Sequence, residues 1–366
     1  MSSAPRPALL GETIIPDHFR EQADWCRALG SPFTADLCLA FAEDFEAGGI
    51  VASLVSDWPT NPRKDALALR LAGCLHHATL IGRAPKLAAE YPAQNPGWSM
   101  KTVWPVARDW LAGNGDWVTR FLESPPQTNE TRRCIALLPG FLELAHRFDM
   151  PMHLLELGAS AGLNQNWDRY SYSTSTWQRL TRETSGVTVS TDWQMDPPQH
   201  LSAQPRVESR AACDLSPFDL SDPDQITRLK CYTWPDQKER LSRLDAAVRL
   251  AQKTGIRVEK ADAADWIARK LSARPKNSLT VVFHSVFLIY PPRDVIGQIM
   301  STIAAHGEKA TADAPLAWLS YESEALFGGN TDTPMMETRL QVWPGGEART
   351  LNRSDGHVTR VIAPAI

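Results

Sequence analysis

The sequence has few cysteines, and their arrangement predicts neither a metal site nor a disulfide framework. Six cysteines are spread over 366 residues without a C-x-x-C pair or another metal-ligand spacing. The adjacent histidines His76 and His77 do not change this, because neighbouring helical positions point about 100° apart and no acidic or cysteine partner recurs at ligand spacing. We therefore expect reduced thiols, no bound metal and a cytoplasmic protein.

The chain also lacks long apolar runs and an excess of charge of either sign. No stretch approaches the ~20 apolar residues that span a bilayer, and the N-terminus does not resemble a signal peptide. With 38 basic and 42 acidic residues, the net charge of −4 provides no field that would recruit nucleic acid or an anionic membrane. The expected partner is a small-molecule substrate, and the sequence indicates no oligomeric state.

What the chain does contain is a hydrophobic content of 43% and a change of pattern near residue 150. Before this point, apolar residues recur at helical spacing. The predicted helices cover residues 31–48, 64–81, 102–122 and 131–148. After it, short apolar runs alternate with helical stretches, as in a mainly parallel sheet flanked by helices. We predict an all-α domain over residues 1–126 and an α/β domain over 127–366.

The predicted strands of the α/β domain follow a regular order. They are Met152–Leu157, Val207–Asp214, Ile256–Asp262, Leu279–Val286, Leu316–Glu322, Thr338–Trp343 and His357–Ile362. Residues 223–250 and 293–305 are predicted to be crossover helices, whereas the last two strands join without a helix and predict an antiparallel hairpin at the sheet edge. Residues 170–206 are too long for an ordinary connection and predict an insertion or lid.

The most informative segment runs from Glu156 to Asn164, where an apolar strand enters a turn of small residues. Gly158 and Gly162 allow sharp turns and close approach of a ligand to the backbone. The same letters spell G-x-S-x-G around Ser160, the nucleophile elbow of serine hydrolases. Two classes of enzyme are therefore compatible with this loop.

The pattern Glu156-x-Gly158-x-Ser160-x-Gly162 resembles the first motif of class I S-adenosylmethionine-dependent methyltransferases, with serine in place of the middle glycine. The resemblance implies a Rossmann-like sheet and S-adenosylmethionine as the cofactor. It also implies that the loop, with Asn164, lines the methionine part of the cofactor. Glu156 would then face the charged amino end.

Acids also end the next two predicted strands. Asp214 occupies the position where the resemblance implies hydrogen bonds to both ribose hydroxyls, a task suited to a carboxylate. Asp262 and Ala263 lie where it implies contact with adenine, although Asp262 alone is more readily explained as a helix N-cap. Asp168 and Asp192 are rivals for the ribose role, because this acid normally follows the glycine loop by about 20 residues.

The fourth predicted strand leads into residues that could contact an acceptor. His284 could act as a general base, since its ordinary pKa lies near neutrality, or it could satisfy a buried hydrogen bond. Tyr290 could contribute to catalysis or pack before a proline turn. Two polar clusters could line the cleft or cap helices. Their predicted substrate-binding residues are Gln127, Asn129, Glu130, Trp234 and Asp236.

Several motifs taken together resemble the bacterial domain-of-unknown-function family 2332. They are Gln127–Glu130, Leu155–Asn164, Trp167–Tyr170, Trp234–Gln237, Phe283–Ser285 and Trp343–Gly346. The likeness runs from about residue 10 to the C-terminus and implies a shared architecture over that length. It implies no activity, so the methyltransferase hypothesis depends on the residues at the strand ends.

Two alternatives remain open. A serine hydrolase would use Ser160 as nucleophile, an acid such as Asp262, and His284 or His357 as base. No His-Gly-Gly oxyanion sequence precedes the elbow, and Glu156 has no obvious use in that reaction. The other alternative is a non-catalytic binding module, in which serine in the glycine motif has weakened cofactor binding.

Overall fold

The structure is a computed structural model that describes residues 11–181, 185–331 and 335–365. The chain divides into a helical unit and an α/β unit. The helical unit runs to Thr128 and also includes Pro223–Ser242, whereas Asn129–Asp222 and the chain from Arg243 onward form the α/β unit. The sequence predicted a single boundary at 126/127 and did not predict that Pro223–Ser242 belongs to the helical unit. No described helix has the length and apolar character needed to cross a membrane.

The described helices alternate with connections rich in proline and glycine. In chain order they are α1 (Gly11–Ala28), α2 (Pro32–Glu46), α3 (Ile50–Val55), α4 (Leu67–Leu80), α5 (Pro85–Glu90), α6 (Met100–Gly113), α7 (Gly115–Leu122), α8 (Arg133–Phe148), α9 (Pro223–Cys231), α10 (Lys238–Thr254), α11 (Ala263–Ser272) and α12 (Arg293–Glu308). The segment predicted as one helix over 102–122 is two helices, because Asn114 leaves helical geometry at φ −134°. Pro235 similarly lies in the break that divides 223–250 into α9 and α10.

The helical unit is organised around one apolar core. Ser31 caps α2 by accepting from the Thr34 amide, and Pro32 follows at the first helical position. Buried aromatic side chains such as Phe33 and Phe41 fill the centre of the unit. The returning segment contributes Tyr232 and Trp234 to the same core, which explains why it belongs to this unit despite its place in the sequence. Burial of such large side chains is the main stabilising contribution.

The described residues form more strands than the sequence predicted. They are β1 (Pro151–Leu157), β2 (Ser171–Ser173), β3 (Gln178–Arg179), β4 (Thr188–Ser190), β5 (Asp192–Gln194), β6 (Arg206–Asp214), β7 (Glu259–Lys260), β8 (Leu279–Ser285), β9 (Leu316–Ser323), β10 (Met336–Trp343), β11 (Arg349–Ser354) and β12 (Arg360–Ile362). Nine of them form one sheet in the order β5-β12-β11-β10-β9-β8-β1-β6-β7. The pairs from β7 to β9 are parallel, and β9 to β12 pair antiparallel. The mixed, mostly parallel α/β sheet and the helical N-terminal part agree with the prediction.

Three local differences separate this sheet from the predicted one. The third strand is only Glu259–Lys260, so most of Ile256–Asp262 lies outside the ladder. The C-terminal hairpin exists, but β10 pairs with β11, a strand that the sequence prediction missed. The region 170–206 contains β5 and the small sheet β3-β2-β4, with residues 182–184 outside the described chain.

The order of the strands defines one special position. Along the chain, β6 and β7 lie on one side of β1, whereas β8 and β9 lie on the other. In open α/β sheets, ligands bind beyond the carboxyl ends of the strands where the order reverses in this way. The loop that follows β1 and the loop that follows β8 therefore flank the expected ligand crevice.

Candidate functional site

The loop after β1 contains three residues in left-handed backbone conformation. Gly158 and Gly162 have φ of +64° and +72°, and Ser160 has φ of +56°. A Cβ on Gly158 would lie 2.3 Å from Phe287 Cδ2, and a Cβ on Gly162 would lie 2.7 Å from Ile256 Cγ2. The glycines are thus required by both conformation and space. In this structure the space that they open is used by protein side chains.

Ser160 is held in the loop by its backbone. Its N–H donates to Asp214 Oδ2 at 2.8 Å, and its carbonyl accepts from the Phe218 amide. Its hydroxyl oxygen is buried and has no hydrogen-bond partner in the part of the chain that the structure describes. A non-glycine residue at positive φ and an unpartnered buried hydroxyl are both unfavourable, so Ser160 marks a strained point of the turn.

Asp214 joins the ends of β1 and β6. Besides the bond from Ser160, its Oδ1 accepts from the Ser216 amide at 2.9 Å. The carboxylate is half-buried at the carboxyl edge of the sheet. Asp214 therefore orders the loop and lies where a ligand at this edge would pass.

Asp262 follows β7 and is the N-cap of α11. Its Oδ1 accepts from the amides of Ala264 at 2.9 Å and Asp265 at 3.2 Å, which satisfies two amides of the first helical turn. The side chain is exposed, and Oδ2 has no hydrogen-bond partner among the described residues. Ala263 begins α11. The capping alternative considered from the sequence is observed, and one carboxylate oxygen stays available at the edge.

Glu156 faces the interior of the α/β unit. Its Oε2 accepts from the side-chain amide of Gln165 at 3.0 Å. Burial raises the pKa of Glu156 to about 8, with a further contribution from the negative charge of Asp214, so the carboxyl is protonated at neutral pH. Asn164 is also buried and accepts a hydrogen bond from the Cys134 thiol at 3.2 Å. Both side chains therefore brace the loop from within the unit.

His284 is fully buried near the end of β8, and both of its ring nitrogens are engaged. Trp318 donates its indole N–H to Nε2 at 2.9 Å, and Nδ1 lies 2.6 Å from Glu322 Oε1. Because an indole only donates, Nε2 is unprotonated and Nδ1 carries the proton that Glu322 accepts. His284 therefore satisfies buried hydrogen bonds, which was the alternative to its role as a general base. Neither ring nitrogen is open to an acceptor substrate.

Glu322 is a site residue that the sequence reasoning missed. Its Oε1 also accepts from the Phe287 amide at 2.8 Å, so one buried carboxyl oxygen fixes both His284 and the loop after β8. Val286 in that loop has φ of +51°, a rare conformation for a β-branched residue. Tyr290 lies further along the loop and is exposed. The signal for Glu322 was present, because an acid also ends the fifth predicted strand.

A comparison with known families now identifies the chain. The model described as an uncharacterized protein conserved in bacteria (DUF2332) matches residues 16–362. The chain belongs to the DUF2332 family. The match extends over both units, in agreement with the resemblance seen in the sequence motifs. No curated protein and no solved structure matches the chain significantly.

The substrate-binding residues predicted for this DUF2332 protein divide between its units. Asn129 accepts from the Leu163 amide at 2.8 Å and thus contacts the end of the β1 loop. Glu130 is buried, forms an ion pair with Arg243 at 3.2 Å and accepts from the Arg132 amide. The remaining three lie in the helical unit. They are Gln127, Trp234 and Asp236.

Asp236 and Trp234 have structural contacts within the helical unit. Asp236 accepts from the Ser31 hydroxyl at 2.6 Å and from the Phe33 amide at 3.0 Å, so its carboxylate caps the start of α2. Trp234 is buried and lines a cavity of about 30 Å³ together with Leu37. Capping, the alternative considered from the sequence, therefore describes Asp236, although at α2 rather than at its own helix.

The other candidates from the sequence are placed away from the β1 loop or apart from one another. Asp168 forms an ion pair with Arg210 at 2.7 Å, and Asp192 begins β5 at the opposite edge of the sheet, so Asp214 is the acid that contacts the loop. For the hydrolase alternative, the Ser160 hydroxyl has no partner and His284 is bonded to Glu322 and Trp318. The described residues therefore show no hydrogen bond between the Ser160 hydroxyl and His284.

Proposed function

We propose that this DUF2332 protein binds S-adenosylmethionine at the carboxyl edge of β1, β6 and β7, and transfers its methyl group to a small-molecule acceptor. One observation carries the proposal. Acids lie near the carboxyl ends of three neighbouring parallel strands, beside the position where the strand order reverses. They are Glu156 in β1, Asp214 as the last residue of β6, and Asp262 after β7. Glu156 is buried and supports the loop, whereas Asp214 and Asp262 bond to backbone amides and still lie half-buried or exposed at the edge.

The residues at this edge fit an adenosine group. Asp214 supplies a half-buried carboxylate for two vicinal hydroxyls, and the unpartnered Oδ2 of Asp262 supplies an acceptor for an exocyclic amine. The N–H group of Ala263, at the first position of α11, is a donor for a ring nitrogen. When bound, the cofactor supplies an electrophilic methyl carbon for an acceptor. The chain contributes orientation and exclusion of water.

The same geometry alters two roles expected from the resemblance. Glu156 is buried and neutral at neutral pH, so we assign it to support of the loop through Gln165 rather than to the charged amino end of the cofactor. His284 has both nitrogens occupied, so we assign it to positioning of the loop after β8. The proposal therefore names no side chain as the general base.

Calorimetric titration with S-adenosylmethionine tests the proposal. Asp214→Asn should weaken binding by about tenfold or more, because it removes a charged acceptor. Asp262→Asn should weaken binding without loss of stability, since asparagine caps a helix as well as aspartate does. Asp265→Asn is the matched control, an exposed neighbour with no assigned contact, and should bind like the wild type. Absence of binding at millimolar cofactor would contradict the proposal.

A further inference from the structure

Exposed apolar side chains are concentrated at the carboxyl edge of the sheet. Leu215 follows β6, Ile289 and Tyr290 follow β8, and Leu326 follows β9. Their side chains are 68%, 51%, 75% and 41% exposed. These four are among nine large apolar side chains that are exposed in the described parts of the chain. We name them the apolar rim. Exposed apolar side chains gathered around a crevice are typical of binding sites.

Arg133, the first residue of α8, is a cation at the same edge. Its Nη1 donates to the carbonyl of Ser285, the last residue of β8, at 3.1 Å. Its Nε is buried and has no hydrogen-bond partner among the described residues. Within residues 11–181, 185–331 and 335–365, no carboxylate lies at ion-pair distance from this guanidinium.

Three other buried or half-buried arginines of the α/β unit have an acidic partner, whereas Arg179 and Arg274 each donate to two backbone carbonyls. Arg243 pairs with Glu130, Arg210 with Asp168, and Arg353 with Glu324. A guanidinium removed from water without such a partner is unfavourable, and its planar donors match the two oxygens of a carboxylate. Arg133 has a single carbonyl partner and a buried Nε without one among the described residues, and an anionic ligand would complete its hydrogen bonds.

We infer that the acceptor of this protein is a compound with an apolar body and a carboxylate. The carboxylate would bind Arg133, and the apolar body would lie on the rim formed by Leu215, Ile289, Tyr290 and Leu326. Calling this ligand the acceptor rests on the proposed function. The binding site at Arg133 and the apolar rim is argued independently of that function. Arg133 and Ser285 lie on the β8 side of β1, whereas Asp214 and Asp262 lie on the β6 and β7 side.

Two matched probes, 4-phenylbutyrate and 4-phenylbutan-1-ol, test the inference by calorimetric titration. They share an apolar body and differ in the carboxylate, so the wild type should bind the acid about tenfold more tightly than the alcohol. Arg133→Gln should remove this difference. Arg293→Gln changes an exposed arginine beside the same loop and should leave the difference unchanged.

A second variant tests the rim without disturbing a buried group. Tyr290→Ala removes an exposed ring, so the protein should keep its urea unfolding midpoint and bind both probes more weakly by a similar factor, about threefold to tenfold. Unchanged affinity for both probes would exclude Tyr290 from the site. Urea unfolding of Arg133→Gln confirms that this variant is folded before its affinities are compared.

The outcomes separate the two proposals. Equal affinity of the wild type for the acid and the alcohol, or no binding of either, would overturn the acceptor inference. If Arg133→Gln instead weakened S-adenosylmethionine by tenfold and left the probes unchanged, the carboxylate bound by Arg133 would be that of the cofactor, and the inference would be wrong. Binding of the acid without any binding of S-adenosylmethionine would contradict the proposed function alone.

Discussion

Two pairs of neighbouring strand ends use polar side chains in opposite ways. At β6 and β7, Asp214 and Asp262 accept hydrogen bonds from backbone amides while staying half-buried or exposed. At β8 and β9, His284 and Glu322 are fully buried and bond to each other. The first pair orders loops and lies partly exposed at the edge of the sheet. The second pair orders a loop from within the unit, and its one unpartnered oxygen, Glu322 Oε2, is buried.

The difference shows that position at a strand end and availability to a ligand are separate properties. All four residues lie toward the carboxyl edge of parallel strands, where ligands bind in sheets of this kind. Only burial and hydrogen-bond partners distinguish a residue that is accessible at this edge from one that supports the loops from inside the unit. Substitutions of His284 or Glu322 should therefore change mainly stability, and substitutions of Asp214 or Asp262 should change mainly binding.

The largest effect on stability is expected for Glu322→Ala. The substitution leaves the Nδ1–H of His284 and the amide of Phe287 buried without an acceptor, which should lower the free energy of unfolding by about 4 kcal/mol. Glu322→Gln keeps an oxygen that can accept both bonds and should lose less than half as much. Urea unfolding measures both values. Equal losses would show that the two hydrogen bonds are not what Glu322 contributes.

Gly158→Ala should have the next largest effect. The new Cβ would combine strain at φ +64° with overlap against Phe287, at a cost of about 3 kcal/mol. Gly255→Ala is the matched control, because Gly255 has φ of +68° and open space around it, and should cost about 1 kcal/mol. In a Phe287→Ala background, whose own cost is measured separately, Gly158→Ala should cost less, so that part of its cost is recovered. No recovery would exclude the ring as the cause.

Stability should also depend on pH through Glu156. The pKa of its carboxyl is about 8 in the folded protein and near 4.5 when unfolded. Between these values the folded state binds more protons, so the free energy of unfolding falls as pH rises. Relative to Glu156→Gln, the wild type should lose about 2 kcal/mol between pH 5 and pH 7. Urea unfolding curves of both proteins at these pH values measure the difference, and parallel pH profiles would contradict a buried neutral carboxyl.

The smallest effect is expected for Ser160→Gly. Glycine relieves positive φ and removes a buried unpartnered hydroxyl, so the variant should be more stable by about 1 kcal/mol in thermal unfolding. Ser160→Ala removes the hydroxyl but keeps the strain and should gain less. Cofactor binding should survive both substitutions. Loss of a hydrolytic activity in the variants would instead support the hydrolase alternative.

Much of the fold could be predicted because its central strands are apolar and regularly spaced. The predicted β1, β8 and β9 lie within one residue of the observed bounds. By contrast, β11 has the sequence Arg-Thr-Leu-Asn-Arg-Ser and pairs at the edge of the core, so its composition carries no strand signal. The return of Pro223–Ser242 to the helical unit depends on long-range packing of Tyr232 and Trp234, which local patterns do not encode.

The candidate site was predictable in position and less so in detail. Asp214 and Asp262 could be found because each follows an apolar segment and precedes a turn or helix. The engagement of His284 depends on the register of β8 against β9, which places it opposite Ser320 and within reach of Trp318 and Glu322. Register across separate strands cannot be derived from one sequence, and the same holds for the Phe287 ring over Gly158.

The most direct test of the account is a crystal structure of the protein with S-adenosylhomocysteine. We expect ligand density beyond the ends of β1 and β6, with both ribose hydroxyls within hydrogen-bond distance of Asp214 and the adenine beside Asp262. We also expect His284 to keep its bonds to Glu322 and Trp318. Ligand bound elsewhere, or an empty edge in crystals grown at saturating ligand, would contradict the assignment of this edge as a cofactor site.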